Sequence, residues 1–253
     1  MTPSPSTSGA IPIGSRISSR PASSARSRPR SEPGGGEFSI TPGGEFWIAV
    51  DTPLASPTSA PYIPLAVAIA GGQTDIIYIA TARQGVYQSG DGGYRWANAS
   101  KGLPEARAGG RVAEIRALVV HPEDPDTAYI AHERRGVYRT TDGGASWHPF
   151  THGLRVPLWR STYPPRLTFD PDDPNRLFLL FGQRIHSHLV KNRLYVTSPT
   201  GMWLPVDVHL PANTAFVGLT VDQGTQALLF WAQDTVWEAP LPGQPVTKPV
   251  NSW

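Results

Sequence analysis

Between residues 62 and 240 the chain alternates short apolar stretches with turn residues. PLAVAIA, DIIYIAT, EIRALVV, DTAYIAH, RLFLLFG, FVGLTVD and QALLFWA are each of strand length, and Gly, Pro, Asp, Asn or Ser clusters separate them. Apolar residues recur at every second position or in short unbroken runs, and the longer 3.6-residue period of a helix is missing. This pattern predicts an all-β protein.

The pattern also repeats. ARQGVYQSGDGGYRW aligns with ERRGVYRTTDGGASW, and both Asp91 to Asp142 and Trp96 to Trp147 are 51 residues apart. Weaker copies keep the order: LTFDPDDPNRLFLLFG answers LVVHPEDPDTAYIAHE, and RLYVTSPTGMW stands where GVYRTTDGGASW stood. FSITPGGEFW has the layout of a turn and its two flanks, so Trp47, Trp96, Trp147 and Trp203 fall at intervals of 49, 51 and 56. A unit of this size holding four strands is what a β-propeller blade requires.

The repeated turn has a local chemistry. An aspartate carboxylate accepts backbone N–H groups two residues on, glycine tolerates the positive φ of a tight hairpin, and the tryptophan leaving the turn covers the hairpin or the next blade. SGDGGYRW and TTDGGASW both satisfy Ser/Thr-x-Asp-x-Gly-x-x-Trp, with Ser89, Asp91, Gly93 and Trp96 in one copy and Thr140, Asp142, Gly144 and Trp147 in the other. With the preceding GVY, these motifs resemble the BNR (Asp-box) repeat propellers, a superfamily of sialidases, xyloglucanases, sortilin-type receptors and photosystem II assembly factors. The resemblance implies a propeller of about four recognisable four-stranded blades, small or incomplete, and boxes that shape turns away from the ligand site. It thins at both ends, because Pro42 and Pro199 replace the aspartate and the last unit has no box.

Composition adjusts this picture at the ends. Residues 1–36 form a tail rich in Ser, Pro and Arg that cannot bury enough apolar area to offset its ordering entropy, and disorder is expected there. Five arginines lie in residues 1–31 without an acid, leaving 17 basic against 20 acidic residues in the remainder, so the net charge of +2 belongs to the tail. Residues 37–240 are the expected propeller and 241–253 a Pro-rich C-terminal tail. With no cysteine there is neither disulfide nor thiolate chemistry. No apolar run is long enough to span a bilayer and no secretory signal is evident, so the default reading is cytoplasmic, while the resemblance implies an extracytoplasmic setting.

Strand order sorts the charges between the two ends of a propeller. Turns between first and second and between third and fourth strands collect Asp75, Asp91, Glu123, Asp124, Asp126, Asp142, Asp170, Asp172, Asp173 and Asp222. The opposite end collects cations, and its long connection THGLRVPLWRSTYPPR adds aromatic residues. The candidate ligand-binding set is Arg134, Arg135, Arg155, Trp159, Arg160, Tyr163, Arg184, His186, His188 and Lys191, because guanidinium forks near aromatic planes suit carboxylate, phosphate, sulfate or sugar. His186 and His188 are spaced to share a strand face, but no third ligand is nearby, and neither a metal nor any other cofactor is expected.

These observations favour a non-catalytic binding or assembly scaffold facing an anionic protein or glycan; nucleic acid is not expected. The alternatives are a sialidase- or xyloglucanase-like glycoside hydrolase, or a partial propeller completed by another chain. A glycosidase needs paired carboxylates across a cleft, and the cationic end offers only Glu105, Glu114, Glu133 and Asp234 as main candidates. The last unit ends after a third strand, so EFWIAV is expected to supply its fourth and close the ring; otherwise an open arc demands a partner chain or a homo-oligomer.

Overall fold

The computed structural model describes residues 38–39, 49–50, 64–69, 75–81, 85–104, 115–132, 135–154, 161–233 and 235–242. They hold strands and turns and no helix. The first sheet comprises β3 (Pro64–Ile69), β4 (Ile77–Thr81), β5 (Val86–Ser89) and β6 (Ala97–Asn98). The second comprises β7 (Ile115–Val120), β8 (Ala128–His132), β9 (Gly136–Thr140) and β10 (His148–Pro149). The third comprises β11 (Ser161–Asp170), β12 (Asp173–His186), β13 (Leu189–Thr197) and β14 (Trp203–Val206), and the fourth β15 (Gly218–Asp222), β16 (Ala227–Trp231) and β17 (Val236–Pro240). Within each sheet the strands are antiparallel and follow chain order, as in propeller blades.

Burial explains the sequence pattern. The second strand of an interior blade is sandwiched between neighbours on both faces, so AYIAH is buried at every position, and IYIAT in blade 1 is buried throughout as well. In β7 the alternating faces enter different cores: Leu118 and Val120 join Tyr78 and Ala80 of blade 1, whereas Ala117 and Val119 pack towards Leu177 and Leu179 of blade 3. Phe178 and Leu180 meet Leu219, Val221, Leu228 and Phe230 of blade 4 in a third core. The chain thus stacks blades by burying the right-hand face of one against the left-hand face of the next.

Both complete boxes close their turns identically. Ser89 Oγ accepts from Gly93 N at 2.8 Å and Asp91 N at 3.3 Å, and Thr140 Oγ1 accepts from Gly144 N at 2.9 Å and Asp142 N at 3.3 Å. The aspartates reach further than the two residues expected: Asp91 Oδ1 accepts from Arg95 N at 2.7 Å and Asp142 Oδ1 from Ser146 N at 2.8 Å, each four residues on. Two successive glycines at positive φ, 66° and 85° at Gly143 and Gly144, turn the backbone inward so that the first residue's hydroxyl takes the nearer donors. In the third unit, where proline replaces aspartate, Ser198 Oγ accepts from Met202 N at 3.1 Å instead.

Tryptophan placement corrects a second expectation. Trp147 donates through Nε1 to Ala99 O at 2.7 Å, and Trp203 to Phe150 O at 2.8 Å. Each reaches the preceding blade, because the chain leaving an outer strand crosses directly beneath the next blade's box. Gly102 must be glycine for this approach: it sits at φ 87°, and a Cβ there would lie 2.3 Å from Trp147 O.

Among the described residues, the ring-closing pairing expected of EFWIAV is not formed at Ala49–Val50. Ala49–Val50 (β2) pairs with Phe38–Ser39 (β1), and among the described residues β17 pairs only with β16. Residues 40–48 separate β1 from β2 in the sequence, and pairing across so short an interval closes a far shorter loop than pairing with a strand at the other end of the chain. Inner strands β3, β7, β11 and β15 pack in sequence, and no packing of similar extent returns from β15 to β3. Leu241 is buried in the third core; residues 1–36 and 243–253 of the expected tails lie outside the described residues.

Candidate functional site

At the end bearing the boxes, the carboxylates are occupied with turn geometry. Asp222 Oδ2 accepts from Thr225 Oγ1 at 2.6 Å and Thr225 N at 3.1 Å, and Asp124 Oδ1 from Asp126 N at 3.1 Å. Buried Asp170 takes Arg176 at 3.2 Å, and Asp172 accepts from the side-chain amides of Gln223 and Gln226. The Ser146 hydroxyl, followed by that of Thr140 and the Ser146 amide, holds Asp142 down to about 2; Asp91 is lowered chiefly by the Arg95 amide. Carboxylates held ionised by local donors are poor general acids at neutral pH. Among the described residues no group of three His, Asp or Glu side chains is arranged to hold a metal.

The opposite end is dominated by one feature. β12 and β13 run on past the length of their counterparts and turn at Ser187–His188, extending their hairpin beyond the blade. Arg184, His186, His188 and Lys191 lie on this extension with exposed side chains. Arg184 donates to Ser187 O at 3.1 Å across the turn, and Arg193 Nε to Gln183 Oε1 at 3.1 Å between the strands. These bonds pin Arg184 and Arg193 along the hairpin.

The hairpin is braced from two sides. Tyr163 is expected in a loop; it lies instead on β11, opposite Gly182. A Cβ on Gly182 would come within 2.4 Å of the Tyr163 ring, so the missing side chain leaves the space the ring fills, and Tyr163 Oη donates to Asn213 O at 3.0 Å. Asn213, at φ 58°, donates from its own N to Val190 O at 2.8 Å and accepts Val190 N on Oδ1 at 2.7 Å. Asn192 Nδ2 donates to Pro211 O and Thr214 O. The 207–217 connection thereby covers the edge of β13 where β14 has ended.

Of the ten expected ligand residues, the structure gathers four on this hairpin and makes Tyr163 a brace for it. Arg135 is exposed at the β8–β9 turn. Arg134, Arg155, Trp159 and Arg160 lie outside the described residues, as do Glu105, Glu114, Glu133 and Asp234. Two half-buried cations escaped the candidate set. Arg139 lies between Tyr129 and Phe150, 5.8 and 5.9 Å from the ring centroids, and Arg166 on β11 is lowered by burial; the Nε of each is buried without a hydrogen-bond partner among the described residues. Alternation places Arg139 in a strand, but only packing shows that it is covered.

The Sortilin-Vps10 family (Sortilin, neurotensin receptor 3) matches residues 81–207, just over half of the 253-residue chain. A Vacuolar protein sorting/targeting protein 10 from Chaetomium globosum is 34% identical over 92 residues, covering 36% of this chain and 5% of that protein. Its Fusarium vanettenii counterpart is 29% identical over 136 residues, 52% of this chain and 8% of that one. The chain therefore spans less than a tenth of these relatives' length. An ancestral GH74 enzyme of known structure superposes with a TM-score of 0.52 at 17% identity, over 72% of this chain and 24% of its own, a likeness of fold alone.

Proposed function

The chain belongs to the Sortilin-Vps10 family, and on that premise we propose that it is a non-catalytic binding scaffold whose basic end receives an anionic partner. The observation that carries this reading is the braced β12–β13 hairpin with Arg184, His186, His188 and Lys191 exposed along it. Cations fixed on a rigid support attract an acidic surface at long range and need little further ordering on contact. Arg134, Arg135, Arg155, Trp159 and Arg160 extend the same face in this proposal. The relatives' designation as sorting/targeting proteins favours an acidic protein over a glycan as the ligand, and an extracytoplasmic setting for the encounter. No helix among the described residues is long and apolar enough to cross a membrane.

The test compares binding of an acidic polypeptide such as polyglutamate, and separately of heparin, by fluorescence anisotropy across a salt series. Arg184→Glu with Lys191→Glu is expected to weaken polyglutamate binding by about tenfold or more and to flatten its salt dependence. Arg26→Glu with Arg28→Glu in the tail should change it far less. Equal losses from the two pairs would assign the attraction to the tail, and tight binding of heparin alone would replace the protein ligand with a glycan.

A further inference from the structure

The register of the outer strands isolates one repeated position. Asn98 lies opposite Tyr87 on β6, Pro149 opposite Tyr138 on β10 and Pro205 opposite Tyr195 on β14, so the three residues hold the same place in blades 1, 2 and 3. All three are exposed. Blades 2 and 3 each follow a described blade and still leave this residue in solvent, so its exposure belongs to the rim of the fold and not to what stands beside blade 1. Ala99 N and Phe150 N turn inward to Val86 O and Val137 O, and alternation along a strand therefore aims the preceding backbone nitrogen, of Asn98 or Pro149, outward. Proline there removes a free donor from the sheet edge. Asn98 keeps it.

What asparagine brings instead is a modification motif. Asn98-Ala99-Ser100 is an Asn-x-Ser/Thr triplet, whereas Asn175, Asn192, Asn213 and Asn251 each lack a hydroxyl residue two places on. The side chain is already turned for it. Asn98 Oδ1 accepts from Ser100 N at 3.1 Å, closing an Asx turn that commits the oxygen and leaves Nδ2 without a hydrogen-bond partner among the described residues. Ser100 Oγ donates to Val86 O at 3.1 Å and accepts from Val86 N at 3.0 Å, bonds that form only once the outer strand has docked. Before folding, the same hydroxyl is open to an enzyme reading the triplet. Thr151 stands in the place of Ser100 in blade 2, where Pro149 abolishes the motif, so the asparagine and not the hydroxyl is what sets blade 1 apart.

We infer that Asn98 is the acceptor of an N-linked oligosaccharide, a reading that rests on the extracytoplasmic setting proposed above. In the transfer, Asn98 Nδ2 bonds to the anomeric carbon of the first sugar of a polyprenyl-pyrophosphate-linked oligosaccharide. The bond from that carbon to the pyrophosphate oxygen breaks, the lipid pyrophosphate leaves with the electron pair, and Nδ2 gives up one proton. Nothing is oxidised or reduced. The folded blade accommodates the product because Asn98 is exposed on its outermost strand, and a bulky hydrophilic chain there screens the outward N–H that proline removes in blades 2 and 3. The cationic hairpin lies on blade 3, so the glycan and the proposed binding face occupy different blades.

Translation of the full chain behind a cleavable signal sequence into endoplasmic-reticulum microsomes tests the site on the nascent chain, whatever its later folding. A single glycan is expected, seen as a gel shift that peptide N-glycosidase reverses, with tandem mass spectrometry locating the resulting Asn-to-Asp conversion at position 98. Asn98→Gln should abolish the shift and Ser100→Thr should keep it. An unshifted chain, or a shift that survives Asn98→Gln, would overturn the site while leaving the polyglutamate test of the basic face untouched. The chain isolated from its own cells should carry the same glycan. Acceptance in microsomes with no glycan on the native chain would overturn the extracytoplasmic setting, and the modification with it.

Discussion

The same eight-residue box sits at the outer hairpins of blades 1 and 2, and its two tryptophans do different things. Trp147 is buried and bonds to Ala99 O, 48 residues back, whereas Trp96 bonds to Gly93 O within its own turn and stays partly exposed. The hydroxyl and carboxylate bonds of the two turns match almost atom for atom. A box therefore encodes a turn, and whether its indole also joins blades depends on what stands before it. The blade-joining role is decided by position in the array.

The largest break in this comparison comes from removing the indoles. Trp147→Ala is expected to cost about 3–5 kcal/mol, since it empties a buried site and orphans Ala99 O. Trp96→Ala should cost only about 1 kcal/mol. Urea unfolding measures both, and equal losses would mean that Trp96 also has a buried partner.

A smaller effect is expected from Gly102→Ala. The added methyl meets the Trp147 carbonyl at a backbone conformation unfavourable to alanine, so a loss of about 2 kcal/mol should appear in the same unfolding measurement. If Gly102→Ala left the midpoint unchanged, the close approach of the two blades would be wrong.

The finest difference lies between the carboxylates. Asp142 is held at about 2 primarily by the Ser146 hydroxyl, a donor Asp91 lacks because Arg95 stands there. A folded pKa below the unfolded value of 3.8 means that the stabilisation is complete above about pH 4 and fades as pH falls towards 2. Ser146→Ala should return Asp142 towards the ordinary carboxylate range and reduce that acid sensitivity, while Arg95→Ser should lower Asp91 further. Carboxyl chemical shifts followed by NMR titration report both; an unmoved Asp142 in Ser146→Ala would remove the hydroxyl from the account.

Strand-length apolar runs, the repeat and the paired boxes determined the all-β propeller and the blade boundaries, because these are local properties: alternation, turn chemistry and positive φ act within a few residues. The sorting of acids into the box end was legible for the same reason, since antiparallel order alone assigns each turn to an end. Tertiary structure decided what depends on neighbours. Whether Trp147 points forward or back, whether Tyr163 is free or a brace over Gly182, and whether Val67 is covered like Leu118 are all questions about surfaces that meet from distant parts of the chain. The closing strand shows the limit most clearly. A strand such as Ala49–Val50 carries the same hydrogen-bonding capacity wherever it goes, and the choice of Phe38–Ser39 as its partner follows from loop entropy and packing that no residue pattern records.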